Sequence, residues 1–348
     1  MPNIYDEFKS KEIGIYYTNN PSLAIPYMGA TLFPSKKQLG LDLSWIKGSK
    51  GLPAILKPSA FDTKATLRDR IGFDKIETEM PFFKESMRIG EKERQELNKV
   101  FASANYNLLM PLINQIYDDV TTLVTGAEVA AERMRMQLLA TGRISIIANR
   151  VNYDYDYKFL AGHKETLLTT AKWSALTAAT PVQDMQRWMD KVEADTGSRP
   201  TRAVCTRKTW NYLLMNNSIK LDLNPAGGLN VIMTDTLLKQ YIQAKLGLVV
   251  AIYSKMFKNY DGAATLFFPD DVFTLLPDGN LGNTYFGTTP EESDLMAGAN
   301  ADVTIVNLGV AITTSKEIDP VNINTKVSAI VLPSFEAIDT TFIATVNS

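Results

Sequence analysis

The sequence predicts an α+β fold with more than one lobe, on three observations. Between Asp118 and Thr141 the apolar residues Val120, Leu123, Val124, Ala127, Ala131, Met134 and Leu138 recur at steps of three and four, the spacing of one helix face. Gly142 stops that helix, and the period turns at once to two: Val151, Tyr153, Tyr155, Tyr157 and Phe159 alternate with Asn152, Asp154, Asp156 and Lys158, as in a long strand with one buried and one wet face. From Thr180 strand and helix signals alternate, and from Thr265 strands dominate. With 348 residues the chain exceeds what one hydrophobic core usually serves, so two or more lobes are expected.

Taken in order, residues 1–40 carry scattered apolar positions (Ile4, Phe8, Ile13, Ile15, Tyr16) between breakers at Pro21, Pro26 and Pro34. They predict an extended arm that needs another surface to lie on. Residues 41–88 change texture, with a Gly48-Ser49-Lys50-Gly51 turn and charges interleaved with Leu67, Ile71, Phe73, Ile76 and Met80. This is the pattern of a β-ribbon too poor in apolar surface to stand alone, expected to project onto a neighbouring subunit. Glu91 to Tyr117 is a second helical region, broken near Pro111 and leading into the long helix.

The α/β lobe opens on a capping box with proline: Thr180 as N-cap, Pro181 at the first helical position and Gln183 at the third. Val182, Met185, Trp188, Met189 and Val192 share a face, and Gly197 closes the helix. Ala203-Val204-Cys205 predicts a short buried strand, Thr206 caps a helix with Trp210, Leu213 and Leu214, and Ile219 to Asn230 is loop-like, ending in Gly227-Gly228. Thr234 caps a third helix that stops at Gly247, followed by a strand over Leu248 to Tyr253. The last strands, Lys326 to Leu332 and Thr341 to Val346, lie outside this α/β pattern and are expected beside the long helix and strand of the first lobe.

Composition excludes several classes. Thirty-six Lys and Arg against 38 Asp and Glu give a net charge of −2, with a pI near 5.7. That balance argues against a surface built to neutralise phosphates. A single cysteine allows no internal disulfide. The opening MPNIYDEFKSKE lacks the basic start and apolar core of a secretory signal, and no apolar run approaches the ~18 residues that span a bilayer.

The search for chemistry is mostly negative. His163, the only histidine, lies in the polar loop Ala161 to Glu165 and is expected at the surface. Cys205, within an apolar run, is expected to be a small core hydrophobe, although Arg202 and Arg207 nearby keep a reactive thiol open. Asp154 and Asp156 share a strand face with Lys158; a solvated face is the expectation, with a calcium site as the remote alternative. Asp270-Asp271 and Glu291-Glu292 fall in loops without EF-hand spacing. Gly227-Gly228 is no phosphate cradle, and there is neither a Gly-x-Gly-x-x-Gly nor a Gly-x-Ser-x-Gly turn. No catalytic, cofactor-binding or metal-binding residue is predicted. Arms and ribbons that cannot complete themselves imply partners, and identical copies are the cheapest.

The order of elements resembles the major capsid proteins of tailed bacteriophages with the Hong Kong 97-type fold, and within it the lambda major head protein family. The local matches are Arg202-Ala-Val-Cys-Thr-Arg-Lys-Thr-Trp210, Gly247-Leu-Val-Val-Ala-Ile-Tyr-Ser254, Phe268-Pro-Asp-Asp-Val-Phe-Thr-Leu-Leu276 and Thr284-Tyr-Phe-Gly287, with Asp319-Pro320 followed by two amphipathic strands through Pro333 and Phe342. The resemblance implies an N-terminal arm (1–40), an E-loop reaching over the next subunit (41–88), a peripheral domain with spine helix and long strand (89–178, completed by 326–348) and an axial domain (179–325). Its Leu221–Leu229 loop would lie near the capsomer axis. It implies self-assembly into pentamers and hexamers that form an icosahedral shell around double-stranded DNA, in a virion assembled in the host cytoplasm. Implied partners are a separate scaffolding protein, a portal and a decoration protein. No cofactor, membrane or enzymatic activity is implied, and no Lys–Asn crosslink can be mapped. An encapsulin-like compartment and an α/β enzyme with a pocket near Asp270 or Cys205 are the alternatives.

Overall fold

A computed structural model describes residues 8–20, 25–47, 74–102, 106–148, 150–227, 230, 232–295, 301–318 and 321–348. The chain divides into two compact units, one of Met1–Leu43, Glu77–Met134 and Asn283–Ser334, the other of Ser44–Ile76, Arg135–Gly282 and Phe335–Ser348.

The first unit is built on a six-stranded sheet. Along it the strands run Ser35–Lys37, Thr284–Phe286, Val321–Pro333, Val310–Ile318 and Asp302–Val306, and Phe82–Ile89 also pairs with Val321–Pro333. Val321–Pro333 is dense in β-branched residues, which fit a pleated surface, and Ile323, Val327, Ile330 and Val331 on it are buried. Antiparallel pairing holds it to Val310–Ile318 from Ile318↔Val321 to Val310↔Ala329, and to Phe82–Ile89 from Ile323↔Ile89 to Ile330↔Phe82.

Here the expected extended arm is corrected. Ser10–Asn19 is a helix whose buried residues are Ser10, Ile13, Gly14 and Tyr17, the i, i+3, i+4, i+7 stripe of one helix face. Two of those four positions are Ser and Gly, so the stripe is invisible to a search for apolar periodicity. The small residues let the helix come close: a Cβ on Gly14 would stand 3.1 Å from Thr304 Cγ2. A short helix, Met28–Leu32, follows, and Ser35–Lys37 joins the sheet parallel to Thr284–Phe286.

The ribbon is partly as expected. Asp42–Lys47 and Asp74–Glu79 form a two-stranded sheet, while its turn and the first half of the charged run, 67–73, lie outside the described residues. Phe82–Ile89, read as ribbon, is instead a full partner in the large sheet. Nor is the helix broken at Pro111. Helices run Glu91–Ala102 and Tyr106–Thr141, and Pro111 lies inside the second. Pro111 is the sixth residue of that helix, past the four whose N–H groups lack an intrahelical acceptor, so the helix continues there without the bond to Asn107 O.

In the second unit Gly142 ends the long helix with φ +70°, and its N–H bonds to Leu138 O at 2.8 Å. The long strand expected after it is really a hairpin, Arg143–Ala148 against Val151–Asp156, in register from Arg143↔Asp156 to Ala148↔Val151. It stops at Asp156 because Lys158 takes φ +49° and gives its N–H to Asp156 Oδ1 at 2.9 Å. Tyr153 and Tyr155 are only half-buried and Val151 is exposed, so the face is less dry than the alternation suggested.

A five-stranded sheet follows in the order Lys164–Thr166, Phe342–Thr345, Val272–Leu276, Arg202–Cys205, Val249–Ile252. The terminal strand therefore does not stand outside the α/β pattern: Phe342–Thr345 pairs antiparallel with Val272–Leu276. Around it Trp173, Trp188, Phe273 and Phe342 stack at centroid distances of 5.1 to 6.5 Å. Three buried indoles each give their N–H to a carboxylate: Trp173 to Asp184, Trp188 to Glu165 and Trp210 to Asp235.

Thr206 and Thr234 cap their helices by side-chain oxygen as expected, and Gly197 and Gly247 close theirs at φ +72° and +68°. Pro181 starts its helix, but Thr180 contributes no side-chain cap bond. Part of the expected loop after Ile219 is a helix, Asn217–Leu223, nucleated by Asn216 Oδ1, which accepts from Ser218 N and Ile219 N. Among the described residues no helix is long and apolar enough to cross a membrane.

Gly142→Ala is expected to lower the denaturant midpoint far more than Gly247→Ala. Both need a left-handed backbone, costing a non-glycine about 1–2 kcal/mol. At 142 the new Cβ also meets Phe159 at 2.8 Å, whereas at 247 it meets nothing within 4 Å. Equal losses would contradict the close approach of Phe159.

Candidate functional site

The polar loop Ala161 to Glu165 proves to be a clamp. His163 sits in a 3-10 turn with its side chain fully buried, Nε2 3.0 Å from Asp195 Oδ2, so the surface histidine expected from its polar neighbours is corrected. Lys164 Nζ donates to Thr141 O, at the carbonyl end of the long helix, at 2.6 Å, placing a cation where the helix dipole favours one. Glu165 accepts from both guanidinium nitrogens of Arg187 and from Trp188 Nε1. Three successive side chains thus tie this turn to three different points. Their partners lie 22 to 32 residues away, which is why spacing within the loop carried no sign of them.

The electrostatics are those of structural pairs. Burial pushes the Lys164 ammonium below its ordinary range. Burial works to raise Glu165, and the bonds from Arg187 and Trp188 overcome it and hold the carboxyl low. Lys191, with His163, holds Asp195 low.

The acids and the thiol around Asp270 and Cys205 are taken up by structural contacts. Thr206 Oγ1 donates to Asp270 Oδ1 at 2.5 Å; Asp271, at φ +64°, accepts from Lys208 Nζ at 2.7 Å and Tyr212 Oη at 3.0 Å. These acids anchor the strand Val272–Leu276 to the helix Arg207–Met215. Cys205 is fully buried, and burial pushes its thiol up to about 12, the condition of an inert core residue. Its basic neighbours are engaged elsewhere, Arg202 on Pro277 O and Arg207 on Asp235.

Asp154 is held by Arg143 across the hairpin and Asp156 caps the Lys158 turn, as befits a solvated face. Glu291 and Glu292 open a single helical turn, Glu291–Leu295, and divide between two partners. Buried Glu291 pairs with Lys326 Nζ at 2.5 Å and accepts from Ser328 Oγ, while Glu292 meets Lys37 Nζ at 2.5 Å. Among the described residues no cluster of His, Cys, Asp and Glu could hold a metal ion. Gly227 is described, whereas Gly228 and Leu229, the tip of the predicted loop, lie outside the described residues.

What remains is surface. Large apolar side chains stand exposed at Leu39, Ile147, Leu168 and Ile232, the first and last at 86% and 88% exposure. Two shallow grooves flank the arm helix, one lined by Gly14, Ile15 and Ile305, the other by Tyr16, Met110 and Tyr117. Such features suit contact with other polypeptides rather than turnover of a small molecule.

The Glu291–Lys326 pair makes a pH prediction. Burial works to raise the Glu291 pKa, but Lys326 and Ser328 outweigh it and hold the carboxyl below its ordinary 4.5. A depressed folded value means the stabilisation is full above the unfolded value and is lost as pH falls through the folded one. Glu291→Gln is expected to cost about 1–3 kcal/mol at neutral pH and to flatten the fall in stability below pH 4.5, read from urea midpoints. Parallel pH curves for the two proteins would contradict the pairing.

The comparisons with solved structures and with protein families agree with one another. A phage-related protein from Bordetella bronchiseptica RB50 superposes with a TM-score of 0.56 at 12% identity, covering 97% of this chain and 96% of that one. A structure described as a prophage capsid protein from E. coli CFT073 gives 0.60 at 13% identity, covering 97% and 99%. At such identities the likeness is one of fold, the Hong Kong 97-type expected from the order of elements. No curated protein matches the sequence significantly. The profile of the family described as phage major capsid protein E matches residues 16–346, nearly the whole chain. This chain therefore belongs to the phage major capsid protein E family and is a capsid shell protein of the virion.

Proposed function

We propose that this chain is the subunit that tiles a tailed-phage head, closing pentamers and hexamers into an icosahedral shell around double-stranded DNA. The observation that carries the proposal is the family match over residues 16–346. In this reading 41–81 is the E-loop, 89–178 with 326–334 the peripheral domain, and 179–325 with the terminal strand Phe342–Thr345 the axial domain. Each contact between copies need only be modest, because a subunit engages several neighbours at once and linkage multiplies avidity. A net charge of −2 suits a wall that encloses DNA without gripping it. A scaffolding protein, a portal and a decoration protein complete the head, assembly takes place in the host cytoplasm, and the subunit itself catalyses nothing.

The structural role of the family fits the state of the two residues an enzyme would most need, since Cys205 is sealed in the core and His163 is committed to Asp195. The family match favours a phage head over an encapsulin-like compartment. Electron microscopy of the expressed protein, alone and with its scaffold, is expected to show capsomers, shells, tubes or sheets. A monodisperse monomer under both conditions would overturn the proposal.

A further inference from the structure

The chain holds two Asp–Gly steps, Asp261–Gly262 and Asp278–Gly279, and no Asn–Gly step. At such a step the glycine nitrogen, with no Cβ beside it, attacks the side-chain carboxyl of the preceding residue when the two groups face each other. The structure separates the two steps. Gly262 N turns away to donate to Asn259 O at 2.8 Å, and Asp261 Oδ1 is taken by Ala263 N at 3.0 Å. Gly279 N instead donates to the carboxyl of Asp278 itself, 3.0 Å from Oδ1, so nucleophile and electrophile are already in contact.

The local sequence accounts for that geometry. Pro277-Asp278-Gly279 is turn chemistry, with proline fixing one corner and Gly279 at φ +80°. Asp278 and Gly279 are exposed, and a Cβ placed on Gly279 would meet nothing within 4 Å, so a ring has room to form. One side chain holds the turn. Arg202 donates from Nε and Nη2 to Pro277 O at 2.9 and 2.6 Å and from Nη2 to Gly279 O, bracketing Asp278. Arg202 is also the first residue of the strand Arg202–Cys205, where it pairs with Leu276.

We propose that Asp278 is a self-modifying site, which closes a succinimide ring with Gly279 and reopens as isoaspartate, releasing the Arg202 clamp. Gly279 N forms a bond to Cγ of the protonated carboxyl, and the amide proton and the carboxyl hydroxyl leave together as water. Water then adds to one of the two ring carbonyls, and opening at the former backbone carbonyl leaves the main chain running through Cβ and Cγ. No oxidant or reductant is consumed, and the net mass is unchanged. The main chain gains a carbon, so Pro277 O and Gly279 O no longer meet the same guanidinium. In a virion nothing replaces a subunit, so slow chemistry at this turn accumulates.

The test ages the full chain, folded and in urea, and maps its peptides by electron-transfer fragmentation, which tells isoaspartate from aspartate. In the folded chain, isoaspartate and its precursor, one water lighter, are expected to build up at 278 at least about tenfold faster than at 261, the scale on which orientation of reacting groups acts. In urea the two steps are expected to convert at similar rates. Asp278→Asn, whose amide no ionisation shields from attack, is expected to convert faster, and Asp278→Glu, which must close a larger ring, to stay unchanged over the same period. As conversion proceeds, amide exchange over 202–205 is expected to quicken in the unmodified chain and to hold steady in Asp278→Glu. Equal rates at 278 and 261 in the folded chain, an excess at 278 that persists undiminished in urea, or full conversion with unchanged exchange over 202–205 would each overturn the inference and leave the shell reading standing.

Discussion

The first unit depends on the pairing of one strand. Val321–Pro333 is hydrogen-bonded in turn to Val310–Ile318, Phe82–Ile89 and Thr284–Phe286, so it pairs residues as much as 248 apart in sequence, Phe82 with Ile330. No local pattern in Phe82–Ile89, half of whose residues are charged or polar, makes it fold; it becomes a strand because a long β-branched partner offers it eight residues of ladder. Tertiary pairing overrides intrinsic preference there, as it commonly does in sheets.

The arm is held by a different device. Its ties run from a donor on the arm to a carboxylate on the body: Ser10 to Asp302, Tyr16 to Asp118, Tyr17 to Glu128, Gly29 N to the buried Glu132, and Lys37 to Glu292. Burial, with Glu128 adding to it, pushes the Tyr17 phenol up to about 12 and so keeps it a donor. Each bond is modest in net worth, but a directional set fixes where along the sheet the arm lies. A shell subunit gains from this, since an arm anchored at defined points presents the same outer surface in every copy.

Legibility divided along the same line. Helix ends written in single residues were plain, because Gly142, Gly197 and Gly247 supply the left-handed backbone and Thr206 and Thr234 the capping oxygens. The core list of the α/β lobe was equally legible, since Trp188, Met189 and Val192 repeat at helical spacing. What stayed hidden needed distant partners. The Ser10–Ile13–Gly14–Tyr17 stripe looked like scatter because half of it is small, the Arg143–Ala148 strand was absorbed into its longer neighbour, and His163 looked exposed because Asp195 lies 32 residues on. The reading of the arm as a segment needing a foreign surface fails for residues 8–20 and 25–40, and the capsid assignment stands on the family match instead.

If Val321–Pro333 is the member on which the first unit closes, its amides are the last to open. Hydrogen exchange on the free subunit measures this directly. Protection across 323–331 should equal the greatest found in that unit and be lost only with its cooperative unfolding. Exchange there as fast as in the Asp42–Lys47 ribbon, while Val310–Ile318 stays protected, would contradict the account.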